Sequence, residues 1–290
     1  MAISSILRYS ILILALVGVL ALGVNSCAAP EESATETAAT SPSSDSSDNT
    51  TSTDDTTSSD NTSVATDQNV RLSGYFQKGP FVQGTEITVR ELDRKLIPTG
   101  RNFTGTIEDN TGSFNIKGRL WHPFVELSAD GFYFNEVAGS LSSAKLTLQA
   151  FSHIGLVNSH EVNVNLMTHL EKRRLEYLLD TGKGFSAARS QAQSEIMKIF
   201  NIENVKVGNS ETLDISQSGD GNAVLLAISA ILQSSKTEAE LTELLSAVNT
   251  DIRYDGTLDV TATKQKLLNG VDYIKPRIAA IRSNIETRYT

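Results

Sequence analysis

Cysteine is almost absent from this chain: among 290 residues, Cys27 is the only one. A lone thiol excludes an internal disulfide and every metal site built on several cysteines. Tryptophan is as scarce, with Trp121 alone, and aromatic residues make up only 6% of the chain. The histidines His122, His153, His160 and His169 include no pair at the i, i+4 spacing that ligates zinc from one helix. No Gly-x-Ser-x-Gly elbow occurs, so a serine hydrolase of that kind has no support. Thr181-Gly182-Lys183-Gly184 lacks the Lys-Ser/Thr ending of a phosphate loop and reads as a helix stop. Basic charge is in deficit, with 25 Lys and Arg against 34 Asp and Glu and a net charge of −9. That balance argues against a nucleic-acid partner.

The acidity is unevenly placed. Arg8 is the only basic residue before Arg71, and nine of the acidic ones also precede it, leaving 24 basic against 25 acidic residues from Arg71 onward. The excess belongs to residues 28–69, where Ser, Thr, Asp, Asn and Glu dominate. Such a segment buries too little apolar surface to offset its ordering entropy, so a disordered tether is expected. A flexible chain of some 40 residues has a root-mean-square span of roughly 35 Å, and like charges extend it further.

Ile11 to Val24 are almost wholly apolar. The run falls short of the about 20 residues of a comfortable membrane span and matches the apolar region of a secretory signal. It closes on Val24-Asn25-Ser26-Cys27. This stretch resembles the cleavage site of bacterial lipoproteins: an aliphatic residue, a free position, a small residue, then Cys. The resemblance implies cleavage between Ser26 and Cys27 and acylation of Cys27. Several acyl chains hold a protein stably on a bilayer, each buried methylene contributing about 0.8 kcal/mol. Ala28 after the cysteine points to the outer membrane of a Gram-negative cell. The competing readings are an ordinary secretory signal with an incidental cysteine and an uncleaved membrane helix; no basic stop-transfer flank supports the latter.

From Val70 to Val164, short apolar runs alternate with turns at Lys78-Gly79-Pro80, Asp109-Asn110-Thr111-Gly112 and Ala129-Asp130-Gly131. Expected strands are 70–76, 86–91, 103–108, 113–117, 124–129, 145–150 and 161–164. Leu72-Ser73-Gly74, Phe81-Val82-Gln83-Gly84-Thr85, the stretch Thr106 to Phe114 and the stretch Val125 to Phe132 resemble carboxypeptidase-regulatory-like domains. That resemblance implies a small transthyretin-like sandwich without catalysis of its own.

After Val164 the period changes to that of helices. A helix is expected from Leu166 to about Thr181, a second capped by Ser186, and a buried one from Asn222, which reads as its cap, to Gln233 that is apolar nearly all round. Thr237 and Glu240 form a capping-box pair ahead of the next. Helices from about Thr261 to Asn269 and after Pro276 complete a set of about six. Asn163 to Glu171, Ser218 to Asn222 and Asp251 to Gly256 resemble segments of bacterial surface lipoproteins to which no activity is attached.

The fold class expected is therefore α+β in separate segments: an antiparallel β-sandwich followed by an α-helical bundle, preceded by a signal peptide and a disordered tether. The boundaries are 1–26 for the signal, 27–69 for the acylated cysteine and tether, 70–164 for the sandwich and 165–290 for the helices. The function expected is a non-catalytic binding module, lipid-anchored through Cys27 in the cell envelope, whose partner is an envelope protein or an extracellular polymer. Trp121, Tyr133 and Phe134 form a possible aromatic platform for sugars, against the plain alternative that they fill the core. A hydrolase is the second reading, its site at the strand–helix junction around Asn135, Glu136 and His169. A calcium-stabilised adhesin is the third. Asp214, Ser216, Asp220 and Asn222 alternate oxygens as a calcium loop does, but Leu225 stands where a bidentate carboxylate is required. Asp251, Asp255 and Asp259 are a second acidic cluster. No other cofactor is expected.

Overall fold

The structure, a computed structural model, describes residues 67–155 and 157–290. The signal segment, Ser26, Cys27 and the tether up to residue 66 lie outside the described residues. Strands occupy residues 68–165 and helices follow from 166 to 289. Among the described residues no helix is long and apolar enough to cross a membrane.

Two four-stranded sheets form the first part. One has the order β3 (Pro98–Thr106), β2 (Glu86–Leu92), β5 (Phe124–Gly131), β8 (Leu146–His153), all antiparallel. The other is built around β1 (Gln68–Gln77), which pairs antiparallel with β4 (Ser113–Leu120). The period-two pattern explains both. Val70, Leu72 and Phe76 of β1, Phe114 and Ile116 of β4, Ile87 and Val89 of β2, and Val125 and Leu127 of β5 are all buried in one continuous apolar cluster.

The free edge of β1 departs from the all-antiparallel expectation. The one strand expected at 161–164 is two short strands, β9 (Ser159–Glu161) and β10 (Val164–Asn165), both parallel to β1. Between them Val162 and Asn163 press against Gly74. The Val162 amide donates to the Ser73 carbonyl, and the Tyr75 amide donates to Asn163 Oδ1. Gly74 sits at φ +150°, and a Cβ there would lie 2.1 Å from the Val162 carbonyl oxygen. Only glycine permits so close a crossing of two backbones. A short hairpin, β6 (Phe134–Asn135) and β7 (Ser140–Leu141), was not legible as strand.

The helices are α1 (Leu166–Asp180), α2 (Phe185–Ile199), α3 (Asp220–Gln233), α4 (Glu238–Asp251), α5 (Thr261–Ile274) and α6 (Ile278–Tyr289). From Ala223 to Gln233 every residue of α3 is buried. Asn165 ends β10 and caps α1 at once. Its Oδ1 accepts from the amides of Met167 and Thr168, and Thr168 Oγ1 accepts from the Asn165 amide. The Thr237–Glu240 capping box at α4 has both halves in place. The second helix starts at Phe185, with Gly184 in the cap position and no side-chain cap, so Ser186 lies inside its first turn. Phe185 packs its ring 5.2 Å from Phe124 and 5.9 Å from His153, which accounts for a helix that begins two residues early.

The large apolar cluster does not stop at the strands. Leu166, Met167 and Leu170 of α1, most of α3, and the inner faces of α4, α5 and α6 belong to the same cluster as the sheet residues. A smaller cluster covers the opposite side of β8, where Phe151 meets Leu175, Leu178, Ala188 and Ala192.

The backbone crossing at Gly74 is testable. Gly74→Ala forces either a strained φ or a separation of β1 from residues 162–163. The expected cost in denaturant unfolding is about 3 kcal/mol. A loss under about 1 kcal/mol would mean that the edge yields freely.

Candidate functional site

The sequence points to the junction of strands and helices, and that junction holds a buried polar layer. Lys78, in the turn after β1, and Glu136, in the β6–β7 turn, are both fully buried and lie 2.5 Å apart. Ser229 Oγ, in the middle of α3, lies 2.7 Å from Glu136 Oε1 and 2.6 Å from the Lys78 carbonyl oxygen, its one proton shared between the two acceptors. Asn284 of α6 donates to the Glu136 carbonyl. Burial pulls the Lys78 ammonium below its ordinary value, and the facing Glu136 opposes that pull. Glu136 Oε2 is buried without a hydrogen-bond partner among the described residues.

The three residues considered for a hydrolytic centre serve separate purposes. Glu136 is locked as described. Asn135 Oδ1 accepts from the amides of Val137 and Ala138 and shapes the hairpin turn. His169 lies on α1 and accepts at Nδ1 from the Gln149 amide of β8. Its partners and those of Glu136 do not overlap. Burial, then the nearby Lys172 and Arg173, push His169 down to about 4, so the ring is neutral near pH 7.

The aromatic residues also divide. Tyr133 is completely buried, its ring 6.2 Å from Phe81 and its hydroxyl donating to Gln233 Oε1 at 2.7 Å. Burial raises its phenol well above the ordinary range. Phe134 is partly buried, with the Arg288 guanidinium 5.3 Å from its ring. Trp121 is 40% exposed and carries the Arg101 guanidinium at 3.4 Å. It makes no ring contact with Tyr133 or Phe134 among the described residues. Phe132, a neighbour in the same aromatic stretch of the sequence, is exposed.

In the suspected calcium loop, Asp214 Oδ1 accepts from Gln77 Nε2 and from the Ser216 amide and hydroxyl. Asn222 folds back across the loop, accepting from the Asp214 amide and donating to the Ser218 carbonyl. It therefore sits in the first turn of α3 and not at its cap, which is Gly219 at φ +134°. Asp220 is the first residue of that helix. Asp251 Oδ2 accepts from the amides of Asp259 and Val260 ahead of α5, and Asp255 accepts from the Thr257 amide. Among the described residues no three His, Cys, Asp or Glu side chains gather in a way that could hold a metal ion.

A second buried group gave no sequence signal, because its members are far apart in the chain. Ser152 of β8 is fully buried and donates to Glu211 Oε2 at 2.9 Å, with His160 Nε2 3.3 Å from its oxygen. Arg189 of α2 pairs with the same Glu211 at 2.5 Å. Nearby, the Ser210 hydroxyl donates to Glu171 of α1, and Asn165 Nδ2 donates to the Ser210 carbonyl. A serine, a histidine and a carboxylate thus lie together, but the serine proton is held by the carboxylate and no face of Ser152 is open to a substrate. Beside His169, the space between β8, α1 and α4 forms a cleft of about 230 Å³.

In comparisons with family models, curated protein sequences and solved structures, nothing matched the chain.

Glu171 provides a pH test. Burial raises its carboxyl from 4.5 to about 7, against the hydrogen bond from Ser210. A carboxyl with a raised folded-state value stabilises the fold at low pH, and that contribution is lost as pH rises from about 4.5 to about 7. Glu171→Gln keeps an acceptor for Ser210 and cannot ionise. The variant is expected to melt above the parent at pH 8, with the gap closing as pH falls towards 4.5. A constant gap across that range would show that Glu171 does not titrate in the interior.

Proposed function

We propose that this chain is a lipid-anchored protein of the bacterial cell envelope, and that its folded part binds a partner and catalyses nothing. Cys27 carries the anchor, the acidic residues up to 66 act as a spacer, and the two sheets form a carboxypeptidase-regulatory-like sandwich with a helical bundle packed on it. The site at Trp121 then has the character of a surface ring, whereas Tyr133 serves the core.

One observation supports binding over hydrolysis. The groups with chemical potential near the junction are each committed to a structural partner: Lys78 to Glu136, Ser152 to Glu211, Glu171 to Ser210 and Arg174 to Glu195. A hydrolytic site needs an acid and a base free to exchange protons with a substrate that reaches both. The anchor is supported by the apolar run that ends at Cys27 and by the Ser-, Thr- and Asp-rich composition that follows it. The partner most in keeping with an exported, tethered module is an extracellular polymer.

Cell fractionation tests the anchor. The parent chain is expected in the membrane fraction with a mass raised by its acyl chains, and Cys27→Ala is expected to run at the unacylated mass and to leave that fraction. Membrane retention of the Cys27→Ala chain at the parent's level would sink the proposal.

A further inference from the structure

The cleft between β8, α1 and α4 deepens that reading, on which it depends, by pointing to a class of ligand. Its lining contains two cations, Lys172 and Arg173, and no carboxylate. Lys172 is already shared between Glu126 at 3.1 Å and Glu176 at 3.3 Å. Arg173 is exposed and makes no ion pair or hydrogen bond among the described residues. It therefore keeps a planar array of donors suited to two oxygens of one anion.

Two further groups face the same space. Asn249 of α4 is only 6% exposed, and its Oδ1 has no hydrogen-bond partner among the described residues. Its amide nitrogen reaches only the His169 carbonyl, at 3.5 Å. A buried acceptor left unpaired costs about 1–3 kcal/mol, so an occupant that supplies a donor is favoured there. The Gln149 amide donates to His169 Nδ1, which leaves the ring proton on Nε2. The wall also includes Leu146 and Leu245, apolar enough to meet the C–H face of a ring. A volume of about 230 Å³ lies below that of sites for drug-sized ligands and suits a single ring.

We infer that this cleft binds a monosaccharide-sized ligand carrying one oxyanion group, a sugar acid or a sugar phosphate. Arg173 holds the anion, Asn249 Oδ1 accepts from a ring hydroxyl, and His169 Nε2 donates to a second oxygen. Such rings are the units of acidic polysaccharides, which makes the cleft a subsite for an acidic extracellular polymer.

Calorimetric titration of the full chain in detergent micelles tests the inference, with galacturonate, galactose 6-phosphate, galactose and inorganic phosphate as probes. One of the two charged sugars is expected to bind at least about tenfold more tightly than galactose and than inorganic phosphate. Galacturonate alone in that role assigns a sugar acid, and galactose 6-phosphate alone a sugar phosphate. Arg173→Ala, a surface change, should erase the preference and leave the melting temperature in place. Asn249→Leu should weaken the charged sugar without restoring affinity for galactose. Equal binding of charged and neutral sugars, binding of inorganic phosphate as tight as that of either sugar, no binding at all, or a preference that survives Arg173→Ala would each overturn the inference. Fractionation of the same Arg173→Ala chain keeps the two ideas separate. If it stays membrane-bound through Cys27 while sugar binding fails, the subsite falls and the anchor stands.

Discussion

The contact on which the arrangement depends is the buried ion pair of Lys78 and Glu136. Two fully buried charges 2.5 Å apart are tolerable only if each finds its partner in a fixed geometry. That geometry needs four pieces of chain at once: the turn after β1 for Lys78, the β6–β7 turn for Glu136, α3 for Ser229 and α6 for Asn284. Moving either turn away leaves a buried charge without its partner, and moving α3 or α6 removes a hydrogen bond that holds Glu136 or Lys78 in place. The pair thus adds a directional constraint to sheets and helices that also share one continuous apolar cluster. Tyr133, whose hydroxyl reaches Gln233 at the end of α3, adds a second directional tie between the same parts.

The segment from Asn163 to Glu171 plays a parallel role on the other side. Asn163 ties β1 to the Leu213 carbonyl, and Asn165 ends β10, caps α1 and holds Ser210. His169 accepts from β8, and Glu171 accepts from Ser210. Polar residues here do what apolar ones cannot, since each hydrogen bond selects one neighbour. The same commitment leaves few interior groups free for proton transfer, and the surface is where ligand chemistry is to be sought. This is the physical basis for proposing a binding protein.

Legibility in the sequence followed the range of the interaction. Strands with clean alternation, such as β1 and β2, were readable within a few residues, and so was α3, whose uniformly apolar sequence marks a helix surrounded on all sides. The Thr237–Glu240 box was readable because both partners sit within one turn. What depends on distant partners was not readable. The parallel edge formed by β9 and β10 depends on Gly74, some 90 positions earlier in the chain, accepting a close backbone. Asn222 reads as a cap by type, but Asp214 draws its side chain back across the loop. Glu136 and His169 were noticed as polar residues near the junction; that one is an ion-pair partner of Lys78 and the other a neutral acceptor for β8 could come only from the fold. Arg173 and Asn249 sit in different helices and share a cleft only after α1 and α4 pack.

The most direct test of the central claim is the unfolding of Lys78→Met in denaturant, followed at once by Trp121 fluorescence, which reports on the strands, and by the helical circular dichroism signal. Removing one partner of a buried pair should cost about 3–5 kcal/mol, with both signals moving together in one transition. A loss under about 1 kcal/mol, or a helical signal that melts apart from Trp121, would show that the strands and helices are not held together by this pair.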